Sequence, residues 1–551
     1  GWQRHQQEPR NCSTTMLYRT AMPTLSPSSV ALTRLHASTL PRRLPLHGVA
    51  GSRQIEQAWM QQLPPHALMQ RAGLATARLA CALAPHAQRF WIACGPGNNG
   101  GDGLQAAALL QAWGRQVEVT LLADPLRLPE DARAAHAEAV AAGVPISTAL
   151  PTALRAHDLA IDALLGIGAS RAPSATLQAC IDALHATPAP VLAIDLPTGL
   201  DADSGDWLQG GSARQCVHAD HTLSLLSLKP GLFTGHGRDA AGMVWWDDLG
   251  TAALQAHGAC QAGAWLQGAA LQPGTATLPA PPPHASHKGS FGDVCIVGGA
   301  AGMEGAAVLA ARAALHAGGG RVYLGSLSAH ATHPTDAELM QRPLQHDSDL
   351  ASLPLASASV AAGCGGGTAI IRWLPALLQH SARLVLDADA LNAIAADTSL
   401  AERLRLREQP TILTPHPLEA ARLLGCTVAE VQQQRLQSAC RLADRLQAMV
   451  VLKGSGSVVA APSDQGIAPV IVHAGNARLA TAGTGDVLAG CIAAFWAQAQ
   501  ARQAGGSAWQ LAFDTACAAV QAHGHAAEQW PAERGTLTAG QLAAALQRLP
   551  G

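Results

Sequence analysis

Short apolar segments alternate with segments of helical periodicity along most of this chain, and this alternation constrains the fold more than any other feature. In the first series the apolar segments are RFWIACG, VEVTLLA, HDLAIDALLG and PVLAIDLPTGL, with helices predicted from Leu104, over Pro129–Ala142 and over Leu177–Ala186. Repeated strand, loop and helix units predict a parallel sheet that is covered by helices on both faces. The fold class is therefore α/β.

A second series of the same kind follows a proline-rich segment, LPAPPPHASH at residues 278–287. At 551 residues the chain is also too long for one ordinary core. We predict two tandem three-layer αβα domains over residues 47–255 and 286–551, joined by a linker and domain-entry segment over 256–285. Residues 1–46 are interpreted as a disordered or mis-annotated leader, with Met16 or Met22 as alternative starts.

Charge and cysteine usage exclude several classes of protein. A net charge of -2 predicts no strong attraction to nucleic acid or to an anionic membrane. No apolar run reaches the length of about 18 to 20 residues that a transmembrane helix needs. The twelve cysteines include no C-x-x-C pair and lie mostly in apolar runs, which predicts reduced core residues and a cytoplasmic location. A homo-oligomer is left open.

Polar residues follow three predicted strands of the first series, at Gly95–Gly103, Asp162–Arg171 and Ile194–Gly205. The carboxyl ends of parallel strands meet at one edge of a sheet, where the ligand crevice lies. The glycines would let backbone N–H groups approach a phosphate or a sugar, at the N-terminus of the following helix. A single glycine-rich loop is as often structural as functional in such a chain, but three polar strand ends in order favour a site.

The oxygen atoms of Asn99, Asp162 and Thr198 suit a hard cation, and Asp195 stands at a strand end where an acid–base group would face the crevice.

The segments GPGNNGGDGL, DALLGIG and IDLPTGLDADSG resemble the NAD(P)HX epimerases, and the resemblance covers about residues 47–249, including SLKPGL with Lys229. It implies a Rossmann-like domain with a potassium ion held by Asn99, Asp162 and Thr198, and a catalytic role for Asp195. It also implies a set of contacts to the hydrated nicotinamide nucleotide, from Asn98, Asn99, Gly100, Gly101, Asp102, Gly166, Ile167, Gly168, Ala169, Ser170, Arg171, Ala172 and Asp195.

The most informative segment of the second series is ATAGTGD, at residues 480–486. Its glycine-threonine-glycine turn presents backbone N–H groups at a helix N-terminus, where charge on a transferring phosphoryl group can be stabilised. Asp486 is then positioned to accept a proton from an attacking hydroxyl group. Such a transfer contributes on the order of a hundred- to ten-thousand-fold in rate.

The chain has only three lysines, Lys229, Lys288 and Lys453, and each precedes a glycine or a proline-glycine in a motif. Their retention indicates a point charge that arginine cannot replace, although chance or loop roles would also explain it. His416 follows a predicted strand, but a lone histidine is more often structural. Asp389 could likewise be a helix cap.

The segments HKGSFG, LDADALN, LTPHPLE and GTGD, in this order, resemble the ribokinase-like superfamily and within it the ADP-dependent NAD(P)HX dehydratases, over about residues 264–550. The resemblance implies ADP as co-substrate, Mg²⁺ as cofactor and Asp486 as the catalytic base. It implies contacts to the hydrate from Ala306, Gly365, His416 and Asp486, and contacts to the nucleotide from Lys453, Gly454, Ser455, Gly456, Ser457 and Gly485. The chain departs from the family pattern at Cys364, Ala477, Arg478 and Ala482.

Together the two resemblances imply repair of the hydrates NADHX and NADPHX. The N-terminal domain would interconvert the R and S epimers, and the C-terminal domain would dehydrate the S epimer to NAD(P)H with release of AMP and phosphate. One alternative is a small-molecule kinase acting on a vitamin precursor or a sugar. Another makes the first domain a non-catalytic scaffold or RNA-associated module, against which Asp102, Asp162 and Asp195 argue.

Overall fold

The computed structural model describes residues 33–34, 43–251, 260–268, 284–329, 336–502 and 506–548. Much of the predicted leader and part of the predicted linker therefore lie outside the described residues. Within these ranges the chain forms two α/β units, each built on its own sheet. This confirms the predicted fold class.

The first unit contains an eight-stranded sheet. Its strands are β1 (Thr33–Arg34), β3 (Arg89–Cys94), β4 (Gln116–Leu121), β5 (Ile146–Ser147), β6 (Leu159–Ala163), β7 (Val191–Ile194), β8 (His221–Leu225) and β9 (Met243–Asp247). They are arranged in the order β1-β9-β8-β7-β6-β3-β4-β5. All neighbours are parallel except β1, which pairs antiparallel with β9.

Helices cover both faces of this sheet. Along β3, Phe90 and Ile92 belong to one buried cluster, and Trp91 and Ala93 belong to another on the opposite face. Because successive side chains of a strand point to opposite faces, this is the signature of three layers. The helices are Val49–Met60, Ala67–Leu83, Asn98–Ala112, Glu130–Ala141, Ala175–Ala186 and Gly237–Ala240.

One prediction about the first unit is wrong. Gly95–Gly103 is not a loop throughout, because the helix predicted from Leu104 begins at Asn98. A Cβ atom at Gly100 would lie 2.1 Å from the carbonyl oxygen of Gly95, and one at Gly103 would lie 2.6 Å from Cβ of Ala163. These glycines therefore allow the first turns of a helix to pack directly on the strand ends.

The second unit contains an eleven-stranded sheet. Its strands are β2 (Leu44–Leu46), β10 (Ala264–Leu266), β11 (Asp293–Gly298), β12 (Arg321–Ser326), β13 (Met340–Pro343), β14 (Ser359–Ala362), β15 (Arg383–Leu386), β16 (Thr411–Leu413), β17 (Met449–Leu452), β18 (Ser457–Ala460) and β19 (Val470–Val472). The order is β13-β12-β11-β14-β15-β16-β17-β18-β19-β10-β2. The seven strands β11 to β17 run parallel, and β17, β18 and β19 form an antiparallel meander.

The helices of the second unit also lie on both faces, since Val294 and Cys295 of β11 belong to different buried clusters. They are Glu304–His316, Leu374–His380, Asp389–Ala396, Thr398–Arg405, Pro417–Leu424, Val428–Gln433, Arg435–Leu446, Thr484–Ala501, Ala508–Glu528 and Ala539–Ala545. No described helix is long and apolar enough to cross a membrane. Among the described cysteines, none forms a disulfide, and most are buried.

Two short strands at the edge of the second sheet come from segments for which we predicted no strand. Strand β2 lies at the end of the predicted leader, and β10 lies in the predicted linker and domain-entry segment. They pair antiparallel with each other, and β10 pairs with β19. The chain therefore contributes an edge strand to the second unit before it enters the first helix of the first unit, at Val49.

Candidate active sites

A cavity of about 490 Å³ opens at the carboxyl edge of the first sheet, between β3 and β6, where the strand order reverses. Eight of the residues predicted to contact the hydrate line it: Asn98, Asn99, Asp102, Gly166, Ile167, Gly168, Ala169 and Asp195. Gly100 packs behind the lining on the backbone of Gly95, and Gly101 packs on Met69. Ser170, Arg171 and Ala172 continue away from the cavity, where the backbone of Ala172 bonds to Gln209.

Asp195 and Lys229 form a buried ion pair at this edge. The Nζ of Lys229 donates to Oδ1 of Asp195 and, at 2.7 Å, to the carbonyl oxygen of Leu225. Asp195 has a φ of 69°, and the N–H of Leu196 bonds across it to the carbonyl oxygen of Ile194 at 2.9 Å. This tight turn is strained in a non-glycine residue and aims the carboxylate at the cavity.

Three further residues with carboxyl groups line the same cavity, Glu56, Asp102 and Asp131. Burial raises the pKa of Asp102 well above its usual range, and the nearby charges of Asp195 and Glu56 add to the rise. Burial also raises the pKa of Glu56. The sequence analysis missed Glu56 because it lies on an ordinary amphipathic helix without a motif. The cavity thus combines carboxyl groups that favour the protonated form with one carboxylate paired to a lysine.

Two of the three residues predicted to bind a cation, Asp162 and Thr198, contact each other at the ends of β6 and β7, and the third, Asn99, lines the cavity. The N–H and the Oγ1 of Thr198 both donate to the carboxylate of Asp162, each at 2.8 Å. Asn99 is buried, and neither polar atom of its amide has a hydrogen-bond partner. Burial raises the pKa of Asp162 to about 6. A buried amide without a hydrogen-bond partner and a desolvated carboxylate both suit the oxygen ligands of a bound cation.

A second cavity, of about 640 Å³, lies at the carboxyl edge of the second sheet. Five of the six residues predicted to contact the nucleotide line it: Lys453, Gly454, Ser455, Ser457 and Gly485. Gly456 does not, because it packs on the first unit. Lys288 is exposed and lies in neither cavity.

Lys453 is held by Asp387, which follows β15. The two side chains meet at 2.7 Å, and Thr414 donates to the same carboxylate oxygen at 2.7 Å. A Cβ atom at Gly485 would lie only 3.2 Å from Nζ of Lys453, so the glycine leaves room for the amine. Ala388, which follows Asp387 in the sequence, has a strained φ of 49°. The motif LDADALN contained Asp387, but the sequence did not identify it as the partner of the lysine.

Asp486 lies in the first turn of the helix Thr484–Ala501, as predicted from the sequence. Its carboxylate, the carboxylate of Asp387 and the thiol of Cys364 each offer an atom within 4.8 Å of the other two. Burial and the charge of Asp387 raise the pKa of Asp486 to about 6, against the opposing effects of Cys364 and Lys453. The carboxylate is therefore a stronger base than an exposed aspartate.

The residues predicted to contact the hydrate in this unit differ in what they do. A Cβ atom at Gly365 would lie 2.9 Å from Cβ of Ala306, so these two residues are neighbours at the point where the strand order reverses between β11 and β14. His416 caps the helix Pro417–Leu424, and its Nδ1 accepts from the N–H groups of Leu418 and Glu419 at 3.1 and 3.3 Å. This contact supports the structural alternative for His416.

Comparisons with known proteins match both units of the chain. The family model NAD(P)H-hydrate dehydratase matches residues 294–548, and the model YjeF-related protein N-terminus matches residues 65–231. The chain is 37% identical over 512 residues to the bifunctional NAD(P)H-hydrate repair enzyme of Escherichia coli (strain K12), covering 90% of this chain and 91% of the relative. It is 35% identical over 540 residues to the corresponding protein of Leishmania braziliensis, covering 90% and 92%.

Among solved structures, the ADP/ATP-dependent NAD(P)H-hydrate dehydratase of Bacillus subtilis, co-crystallised with ATP and Mg²⁺, is 27% identical with a TM-score of 0.38. That match covers 48% of this chain and 91% of the solved chain. The two full-length relatives span both units, each of which carries a cavity at the carboxyl edge of its own sheet. The chain therefore belongs to the family of bifunctional NAD(P)H-hydrate repair enzymes.

Proposed function

We propose that the chain repairs NADHX and NADPHX in two steps, with epimerisation in the first cavity and ADP-dependent dehydration in the second. The observation that carries this proposal is that a lysine held by a buried aspartate lines each cavity: Lys229, paired with Asp195, lines the first, and Lys453, paired with Asp387, lines the second. Buried charges need partners, so the pairs hold charge in each cavity ready for a substrate. The identity to relatives named bifunctional NAD(P)H-hydrate repair enzymes supports the assignment.

Epimerisation inverts the configuration of one carbon of the hydrated ring. That carbon bears both a hydroxyl group and the ring nitrogen, so its configuration inverts if the carbon–nitrogen bond opens to an aldehyde and closes on the other face. Opening takes the proton from the hydroxyl and puts one on nitrogen, and closure reverses both transfers. We assign proton acceptance to Asp195, whose charge Lys229 balances, and proton donation to the carboxyl of Asp102.

A potassium ion fits the residues beside this cavity. Asn99, Asp162 and Thr198 would hold it, because the side-chain amide of Asn99 has no hydrogen-bond partner, and the buried carboxylate of Asp162 has hydrogen bonds from Thr198 but no ion-pair partner among the described residues. When bound, the ion would supply positive charge that attracts the phosphates of the hydrate. The segment Gly166–Ala169 forms part of the wall of the first cavity and would also contact the hydrate.

Dehydration begins with phosphoryl transfer in the second cavity. Asp486 accepts the proton from the hydroxyl group of the hydrate while the oxygen of that hydroxyl group attacks the β-phosphorus of ADP. AMP leaves with the electron pair of the broken phosphorus–oxygen bond. Lys453 and the N–H groups at Thr484 and Gly485 stabilise the charge on the phosphates. The carbon–oxygen bond of the new phosphate ester then breaks, and phosphate leaves with the electron pair. Loss of a proton from the neighbouring ring carbon restores the double bond.

The residues that the structure describes do not form a magnesium site by themselves. The group of Cys364, Asp387 and Asp486 includes a thiol, which is a poor ligand for a hard cation, and Asp387 already binds Lys453 and Thr414. We propose that Mg²⁺ arrives with the nucleotide and is held by its phosphates. Ala306, Gly365 and His416 remain our proposed contacts to the hydrate in this unit.

The test is the recovery of the near-ultraviolet absorbance of reduced nicotinamide after the purified protein and ADP are added to mixed R and S hydrates. We expect complete recovery, faster than spontaneous epimerisation allows. Recovery that stalls at the S fraction would contradict the epimerase assignment. No recovery with either ADP or ATP would overturn the repair function and favour a small-molecule kinase with a non-catalytic first unit.

A further inference from the structure

The second cavity, which we propose binds the nucleotide and call the nucleotide cavity, has a wall that comes from the first unit. Besides the residues of the second unit, Arg238 and Asp239 line this cavity. Both lie on the short helix Gly237–Ala240, which follows β8 of the first sheet. The binding site predicted for the C-terminal domain alone is therefore closed by side chains that lie more than 200 residues earlier in the chain.

Specific hydrogen bonds connect this wall to the loop of residues 453–456 after β17, which we call the nucleotide loop. The N–H of Gly235 donates to the carbonyl oxygen of Ser455 at 3.0 Å, and Oγ of Ser455 donates to the carbonyl oxygen of Gly235 at 2.9 Å. Thr234 is fully buried, and its Oγ1 lies 3.2 Å from the carbonyl oxygens of Ser455 and Gly456. Nε of Arg435 donates to the same Oγ1 at 3.0 Å. These bonds fix the first unit against the loop.

Arg238 is half-buried and has unused hydrogen-bonding capacity. Its Nη2 donates to the carbonyl oxygen of Gly475 at 2.8 Å, which is its only hydrogen bond among the described residues. No described carboxylate lies within 4.0 Å of its guanidinium group. Burial lowers the pKa of Arg238, while the more distant charges of Glu528 and Asp239 oppose that shift. A guanidinium group has five N–H donors, so most of them remain available to an anion.

We propose that Arg238 of the first unit completes the nucleotide site of the second unit by pairing with a phosphate group of the bound nucleoside diphosphate. This inference rests on the proposed ADP-dependent reaction. Lys453 is the other cation of this cavity, and Asp239 is exposed on its rim. A diphosphate brings several negative charges into the cavity, and a planar guanidinium group binds phosphate oxygens through two parallel hydrogen bonds.

The proposal distinguishes a contact to phosphate from a contact to the base. An arginine stacked on adenine would strengthen the binding of adenosine and of ADP alike, whereas an arginine paired with phosphate strengthens only the binding of ADP. The discriminating quantity is therefore the ratio of the dissociation constants for adenosine and ADP, which calorimetric titration of the full chain gives without any hydrate present.

The experiment compares the unmodified chain with Arg238→Gln, which keeps an amide donor for Gly475 but loses the charge, and with Arg238→Met. We expect ADP to bind about 10- to 100-fold more weakly to both variants. Adenosine should bind unchanged. The control is Arg127→Gln, on an arginine of the first unit whose side chain is 88% exposed and lies outside both cavities. Its affinity for ADP should equal that of the unmodified chain.

Unchanged binding of ADP to Arg238→Gln would overturn the proposal, as would an equal loss of affinity for adenosine and ADP. If the glutamine variant does not fold, the methionine variant and its melting temperature carry the same comparison. The repair assay run in parallel separates this inference from the proposed function. Normal repair with an Arg238→Gln variant that binds ADP normally contradicts the inference alone, and no binding of ADP to the unmodified chain contradicts both.

Discussion

The Nζ of Lys453 lies 2.7 Å from Oδ1 of Asp387, so the charge in the nucleotide cavity is fixed by a residue from a different strand end. Asp387 follows β15, whereas Lys453 follows β17, and β16 lies between them in the sheet. Thr414, after β16, donates to the same carboxylate. Three neighbouring strand ends thus orient one ammonium group, which explains why a lysine is retained in a chain that otherwise uses arginine.

The first prediction concerns this pair. Lys453→Met leaves the carboxylate of Asp387 buried without its cation, so we expect a loss of about 3–5 kcal/mol in the free energy of unfolding, together with weaker binding of ADP. Chemical denaturation measures the first effect and calorimetry the second. In the double variant Lys453→Met with Asp387→Asn, most of the stability should return while ADP binding stays weak. A double variant as unstable as the single one would contradict this account.

The pH dependence of dehydration follows from Asp486. Its pKa is raised to about 6, and it must be ionised to accept a proton, so kcat/KM should fall about tenfold for each pH unit below that value. Cys364 acts to lower the pKa of Asp486. Cys364→Ala should therefore move the acidic limb of the profile to higher pH. The variant Asp486→Asn should lose about a hundred- to ten-thousand-fold in rate and show no such limb. An unmoved limb in Cys364→Ala would count against this role of the thiol.

We expect epimerisation to depend on Asp195 as its proposed proton acceptor, and the backbone conformation of Asp195 decides which variant tests this role. At a φ of 69°, asparagine is tolerated better than alanine, so Asp195→Asn removes the charge with little added strain. We expect recovery of reduced nicotinamide to stall at the S fraction, while dehydration of the S epimer keeps its rate. Full recovery at the normal rate would show that Asp195 is not the proton acceptor. Asp486→Asn, the matched control, should block dehydration and leave epimerisation intact.

Sequence reasoning identified what local motifs encode. The two sheets follow from apolar periodicity, the contact of Asp162 with Thr198 follows from polar strand ends, and the place of Asp486 at a helix N-terminus follows from the glycine-threonine-glycine turn. The helical nature of Asn98–Gly103 did not follow, because glycine disfavours helix unless tertiary packing requires its small size. The strand Leu44–Leu46 did not follow either, because three residues carry no usable period.

Contacts between distant segments also escaped prediction. Arg238 closes the nucleotide cavity only because the first unit packs on the loop after β17, and nothing in the local sequence around Arg238 resembles a nucleotide-binding motif. Glu56 also escaped prediction, because it reaches the first cavity from a helix whose sequence contains no motif. His416 illustrates the opposite difficulty, since its motif indicates a ligand contact while its Nδ1 caps a helix.

Removal of potassium tests the cation site. Exchange of K⁺ for Li⁺ should slow epimerisation, because two hydrogen bonds from Thr198 hold the carboxylate of Asp162 in place and oppose its movement toward a smaller ion. Thr198→Val, which deletes the hydroxyl that donates to Asp162, should reduce the response to K⁺. The rate of ADP-driven dehydration of the pure S epimer serves as the internal control and should not change. An epimerisation rate that is independent of the cation would contradict the assignment.

The seam between the units can be tested at a single glycine. Gly456 has a φ of 65°, and a Cβ atom there would lie 1.9 Å from the carbonyl oxygen of Phe233. Gly456→Ala should therefore push the first unit away from the nucleotide loop, raise KM for ADP and lower the melting temperature. Gly466 has almost the same φ, 66°, but open space around it, so Gly466→Ala should cost only the backbone strain of about 1–2 kcal/mol. If both variants raise KM for ADP equally, backbone strain explains the effect. A rise confined to Gly456→Ala would mean that packing of the first unit maintains the nucleotide site of the second.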